Sequence, residues 1–171
     1  MKWIIDPSHS QIQFAVKHLG ISTVRGTFGQ FEGTIEEENG AVSAVSVDIT
    51  LASVNTGSAQ RDGHLQGEDF FDVAKYPTAS FRLTSFSREG DEATATGDLT
   101  MHGMTAPVTL TGEIGGKATD PWGNTKVSAE LTAKLSRKAW GLTWNAALEA
   151  GGVLVSDEVK LTIDVQAAAA A

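Results

Sequence analysis

The sequence predicts an all-β fold of about eight antiparallel strands with one short helix. Three observations carry this prediction. Alternation with period two runs through most of the chain, turn residues separate the alternating runs, and the polar faces are rich in Thr and Ser. Successive side chains of a strand point to opposite faces, so an apolar residue at every second position marks a face turned to a core. Thr and Ser opposite that face suit a strand better than a helix.

The first strand is predicted over residues 10–18. Ile12, Phe14 and Val16 share one face, with Gln11, Gln13 and Lys17 opposite. His18 falls in line with the apolar row, at a strand end beside Leu19-Gly20. At a rim, such a ring can keep one nitrogen wet while its carbons pack. Residues 24–36 continue as a strand but break parity. Phe28 and Phe31 differ in phase, and Gly26, Gly29 and Gly33 interrupt the run. A bulge or sharp bend is expected there.

Further strands follow the same rule. Val45, Val47, Ile49 and Leu51 form one row, and residues 79–88 carry another strand. Ala95, Gly97, Leu99 and Met101 form a row, followed by Val108, Leu110, Gly112 and Ile114. Val127, Ala129, Leu131, Ala133 and Leu135 precede the last row, Val159, Leu161, Ile163 and Val165. Glu38-Asn39-Gly40 and Glu89-Gly90-Asp91 read as hairpin turns, which makes most neighbours antiparallel. The closing run of five alanines is expected to fray.

One segment is not a strand. Residues 58–67, SAQRDGHLQG, carry Ser58 as an N-cap, Asp62 in the first turn and Gly67 as a stop, which predicts a short helix. Gly63 weakens that helix by about 1 kcal/mol relative to Ala. Phe70 and Phe71 follow it, ahead of a Pro-containing turn.

Strands with one apolar face need a closed barrel or two packed sheets. The inner rows mix large residues with Ala95, Gly97, Gly112, Ala129 and Ala133. In an eight-stranded barrel, small inward residues leave room for one apolar ligand. They can equally be covered by Phe and Trp, and pattern alone leaves both open.

The 171 residues suit a single domain, residues 1–171, with a real core. The chain has 21 acidic against 13 basic residues, a formal charge of −8, which argues against nucleic acid as a partner. There is no cysteine and so no disulfide. No stretch approaches the roughly 20 apolar residues of a membrane span, and no signal peptide follows Met1, so a cytoplasmic location is expected.

No residue pattern declares catalysis. His9, His18, His64 and His102 show no metal-ligand spacing. There is no GxSxG elbow, no GxGxxG before a helix and no P-loop. Arg61 and His64 lie three apart on the predicted helix and share a face with Leu65, beside Asp62. They form either a clamp for a polar head group or a network that pins the helix over a barrel end. Trp140 and Trp144 sit on a glycine-flanked loop, where they line a mouth or plug it.

DPSHSQIQFAVKHLGISTVRGTF, NTGSAQRDGHLQGEDFFDVAKYPTASF, GDLTMHGMTAPVTL and SRKAWGLTWNAALEAGGVLVSDEVKLTIDVQ together resemble the YceI-like family. The likeness runs from about Trp3 to Gln166. The DPWGN segment and the absence of a signal look like a cytoplasmic, actinobacterial-type branch, although many relatives are exported. The resemblance implies a lipocalin-like antiparallel barrel whose lumen takes a long isoprenoid or similar lipid, with no catalytic residue, metal or cofactor beyond a bound lipid. It also allows a homodimer.

Under that reading the lumen residues are Phe14, Val16, His18, Phe28, Phe31, Phe70, Phe71, Phe81, Leu99, Met101, Leu110, Leu131, Trp140 and Trp144. Arg61, Asp62 and His64 are the candidate head-group contacts. Two positions depart from the family pattern: Ala139 stands where an acidic residue is usual, and Ala106 where a basic one is. Both losses fall on rim charge. Two rival functions remain: a barrel hydrolase or isomerase acting on a lipid, with His18 or His64 as base, and a structural dimer with a filled barrel.

Overall fold

The computed structural model describes residues 1–148 and 151–170. Their strands, in chain order, are β1 (Lys2–Ile5), β2 (Gln11–His18), β3 (Ser22–Phe28), β4 (Phe31–Glu38), β5 (Ala41–Thr50) and β6 (Val54–Asn55). Helix α1 (Ala59–Gln66) follows, then β7 (Thr78–Glu89), β8 (Glu92–Met101), β9 (Met104–Ile114), β10 (Ala118–Thr119), β11 (Thr125–Ser136) and β12 (Val155–Ala169). All pairings are antiparallel. The ring runs β11-β9-β8-β7-β5-β4-β1-β12, and β12 closes it by pairing β11 from Lys126↔Ala168 to Ser136↔Glu158.

Two staves of this eight-stranded barrel are each built from two strands. β1 and β2 lie on the same edge of β12, separated by the 3-10 turn Pro7–His9. The Asp6 carboxylate caps that turn, accepting from the Ser8 backbone N–H at 2.9 Å and from the Ser8 hydroxyl at 2.6 Å. The His9 Nδ1 lies 2.7 Å from its other oxygen. These hydrogen bonds, Ser8 first and His9 next, hold the Asp6 pKa down to about 2.

β3 and β4 form the second composite stave, broken at Gly29-Gln30. This is the bend expected from the parity change. The two-residue step lets Phe28 and Phe31 both reach the core although they differ in phase. The hairpin at Asn39-Gly40 has both residues at positive φ, 55° and 79°, the backbone that matches the twist of flanking strands.

Small inward residues serve close packing at two sites. A Cβ on Gly97 would meet the Phe81 ring at 2.4 Å, and one on Gly26 would meet the Phe14 ring at 2.3 Å. Phe81 and Phe14 therefore lie flat on the wall across glycines instead of filling the lumen.

The chain end departs from expectation. Ala167, Ala168 and Ala169 belong to β12 and pair with Ile5, Ile4 and Trp3. Ala167 is fully buried against Trp3 and Ile5. The run of alanines supplies small side chains beneath a large indole, and the N-terminal strand, which alternation alone did not single out, covers it.

One end of the barrel, the helix end, carries the turns at 19–21 and 102–103, the segment 51–77 with α1, and the segments 137–148 and 151–154. The opposite turn end carries the turns at 39–40 and 90–91, the segment 115–124, Met1 and Ala170.

Candidate functional site

Inside the barrel lies a cavity of about 790 Å³ that reaches from His18, His64 and Trp144 at the helix end to Glu37, Arg88 and Lys117 at the turn end. Its middle is apolar because each stave turns its alternate row inward. Ile12, Phe14 and Val16 come from β2, Leu99 and Met101 from β8, Val108 and Leu110 from β9, and Leu131 and Leu135 from β11. Every residue expected in the lumen lines this space: Phe14, Val16, His18, Phe28, Phe31, Phe70, Phe71, Phe81, Leu99, Met101, Leu110, Leu131, Trp140 and Trp144.

The helix end is built by hydrogen bonds around α1. Its N-cap, Ser58, accepts from the Arg61 backbone N–H at 3.3 Å, and Gly67 caps the other end. Arg61 donates through Nε to the Thr56 hydroxyl and through Nη2 to the Thr56 carbonyl, both at 2.8 Å. Arg61, His64 and Leu65 face the cavity together, as their spacing requires.

Asp62 does not line the cavity, which corrects its place among the head-group candidates. Its carboxylate accepts from the Thr56 backbone N–H at 2.8 Å and from the Thr56 hydroxyl at 2.6 Å, the same hydroxyl that accepts from Arg61 Nε. The first turn of α1 is thus pinned to the segment before it, and Asp62 is consumed in doing so.

Aromatic stacking ties α1 to the loop across the mouth. The His64 ring meets Phe70 edge-on at 5.0 Å and Trp144 at 4.8 Å, and Phe70 and Trp144 lie 5.3 Å apart. His64 Nε2 is 2.9 Å from Asp69, whose carboxylate is half exposed. Trp140 is the plug: it is 2 % exposed, and its indole N–H donates to the Leu99 carbonyl at 2.8 Å. Its own carbonyl lies 2.9 Å from His102 Nδ1.

Arg137 was not expected at this site. It is buried, lines the cavity and donates to the carbonyls of Ser156 (2.9 Å), Leu142 (2.9 Å), Trp144 (3.2 Å) and Val155 (3.4 Å). Burial pushes its pKa down and nearby Asp157 partly restores it. The group stays charged, since a guanidinium titrates far above neutrality. The signal for Arg137 was present in the sequence. It continues the inward row Ala133, Leu135, as His18 continues Ile12, Phe14, Val16.

Ala139 lies in the 3-10 turn Arg137–Trp140. Asp157 accepts from the Ser136 hydroxyl and from the Lys138 backbone N–H, and these contacts lower its pKa. Ala106 sits opposite Leu99 and packs against the core.

Among the described residues His18 makes no side-chain hydrogen bond, and its backbone carbonyl accepts from the Ser22 hydroxyl at 3.2 Å. His9 lies on the outer turn with Asp6 and Ser8. Among the described residues, no cluster of His, Cys, Asp and Glu could hold a metal ion, and no helix is long and apolar enough to cross a membrane.

At the turn end, Lys117 pairs with Glu37 at 3.9 Å and lies 5.3 Å from the centre of the Trp3 ring. Arg88 donates to the Gly90 carbonyl at 2.7 Å. These charges were not foreseen, although Glu37 continues the inward row through Ile35 and Arg88 follows Phe86 at the same spacing.

The geometry has close parallels among known proteins. The chain is 41% identical over 160 residues to the protein YceI of Escherichia coli O157:H7, covering 92% of this chain and 81% of that one. The YCEI protein of Campylobacter jejuni, known from crystals, superposes with a TM-score of 0.79 at 32% identity, over 91% of this chain and 90% of that one. A polyisoprenoid binding domain from Saccharophagus degradans shares the fold, with a TM-score of 0.73 at 15% identity and 98% coverage of both chains. A model of the YceI-like domain matches residues 3–167, and the chain belongs to that family.

Proposed function

We propose that this protein binds and carries a long-chain isoprenoid or a similar lipid, held without covalent attachment in the barrel lumen. The observation that carries this reading is the cavity running the length of the barrel, lined mostly by apolar side chains and with its arginines, lysine and histidines at its two ends. Burying a methylene is worth about 0.8 kcal/mol, so a five-carbon isoprene unit contributes roughly 3 kcal/mol before ordering costs. A chain that repeats such units suits a lumen whose wall is mostly apolar along its middle. The shared fold with a polyisoprenoid binding domain supports the same class of ligand.

The polar head belongs at the helix end. Arg61 and His64 face the lumen there, and Arg137 adds a buried positive charge. At the turn end Glu37 offsets Lys117. The filled-barrel reading loses its basis, since Phe14 and Phe81 lie against glycines and leave the lumen open. The hydrolase reading needs a group within reach of His18 or His64 beside the cavity, and the His64 partner Asp69 does not line it.

Binding can be read from the intrinsic fluorescence of the lumen tryptophans on titration with a diterpenoid alcohol. Ala95 and Ala129 line the cavity, so Ala95→Phe with Ala129→Phe places two rings in it. The native protein is expected to saturate and the double variant to bind at least tenfold more weakly with an unchanged fold by circular dichroism. Equal binding by the two proteins would overturn a lumen site.

A further inference from the structure

The outer wall formed by β11, β12, β2 and β3 sorts its charge by height. Lys134 stands directly opposite Lys160, Lys160 opposite Ala15, and Ala15 opposite Arg25, so three basic side chains share one lateral row. All three are exposed. Lys17, two residues nearer the helix end, and Lys138, at the start of the loop there, extend the band. None of the five forms an ion pair with a described residue.

Two acids lie within the band. Asp157 is occupied by Ser136 and Lys138, and Glu158 stands exposed opposite Ser136. Lower on the same wall, Glu130 stands opposite Asp164. Like charges directly across a ladder destabilise it, and exchanging one residue between the two rows would have made two favourable pairs. The wall instead keeps a basic band near the helix end and an acidic band below it, in a chain of net charge −8.

Above the basic band the rim is apolar. Ile21 is 86% exposed, Val153 51% and Leu19 43%. The Leu19 backbone N–H donates to the Leu154 carbonyl at 2.8 Å, which joins the two rim segments. From Ala15 to Leu19 the strand climbs about 13 Å at ~3.3 Å per residue, less where it tilts. Lysine and arginine side chains at that height reach toward the plane of the rim.

An apolar edge over a basic band is the charge pattern that a membrane interface with anionic lipids takes up. We propose that this rim and wall dock the protein on an anionic lipid bilayer, mouth toward the surface. Leu19, Ile21 and Val153 enter the head-group layer, and the basic band lies against the lipid phosphates. Asp62, Glu68, Asp69 and Asp72 lie on the helix side of the same end, so the barrel leans onto the β11–β12–β2–β3 wall. The acidic turns at Glu36-Glu37-Glu38 and Glu89 to Glu92 then face away from the membrane.

Docking is independent of what fills the lumen and is read by co-sedimentation with vesicles. Phosphatidylglycerol mixed with phosphatidylcholine is compared with phosphatidylcholine alone. Binding is expected on the anionic vesicles only, weakening as salt rises. Each basic residue removed lowers the partition coefficient about fivefold, so Arg25→Gln with Lys134→Gln and Lys160→Gln lowers it about a hundredfold. Ile21→Ser lowers it about tenfold. Lys2→Gln, at the turn end, leaves it unchanged.

Equal binding to both vesicles, or a triple variant that binds like the native protein, overturns the proposal. So does a rim variant that shifts the sizing profile while the native protein ignores vesicles, since that assigns the patch to a second copy of this chain. The lumen variant Ala95→Phe with Ala129→Phe is expected to dock normally. Failure of docking and failure of lipid binding are therefore separate results.

Discussion

At the scale of single residues, the end positions of inward rows decide what the barrel mouth can do. His18, Arg137 and Trp140 all follow or cap such rows, and each ends in a different chemical state. Trp140 gives its N–H to Leu99, Arg137 gives its donors to four carbonyls, and His18 makes no side-chain bond among the described residues. Asp6 shows how a polar residue can instead interrupt a stave. Its pKa drops from 3.8 to about 2 because Ser8 and His9 bond its charged form. A depressed carboxylate adds stability above its unfolded value and loses it as pH falls through the folded value. Thermal midpoints of the native protein and Asp6→Asn should therefore differ near neutrality, with the native protein higher. The gap should close between about pH 4 and pH 2. A gap that stays constant across that range would show that the ionised cap contributes nothing.

At the scale of elements, glycine decides whether a strand carries a lumen or a filled core. Gly97 in β8 lets Phe81 lie across the wall, and Gly26 in β3 does the same for Phe14. Gly97→Val would drive its new side chain into the Phe81 ring and toward the Arg82 carbonyl, 2.6 Å from the added Cβ. The expected cost is about 1–3 kcal/mol, seen as a thermal midpoint lower by several degrees. Gly29→Ala meets nothing within 4 Å and should leave the midpoint unchanged. Period-two alternation located these strands and their inner faces, and the parity conflict of Phe28 and Phe31 located the bend. The same rule missed β1, because KWII has no alternation to read, and it misjudged the final alanines, whose burial depends on Trp3 from the far end of the chain. Asp62 was misplaced for a related reason. Helical spacing fixes which face a residue shares but not that Thr56, outside the helix, takes its carboxylate.

At the scale of the whole molecule, closure turns those alternate rows into one continuous apolar space. The pairing of β12 with β11 makes the barrel, and the break at Gly29-Gln30 lets β3 and β4 follow β2 and β1 around it. Pattern alone allowed a barrel or two packed sheets, because both bury one face of every strand, and it left an open and a filled interior equally open. Family resemblance and ring closure decide for the barrel. That Glu37, Arg88 and Lys117 meet at the turn end could not be read in advance, since they converge from three connections far apart in sequence.

A lipid chain held in the lumen is read most directly by organic extraction of the protein purified from its own cells, followed by mass spectrometry. A long-chain isoprenoid or similar lipid is expected near one per protein, and is expected to be absent from the Ala95→Phe, Ala129→Phe variant prepared in parallel. An extract free of lipid, or the same lipid in equal amount from the variant, would contradict it.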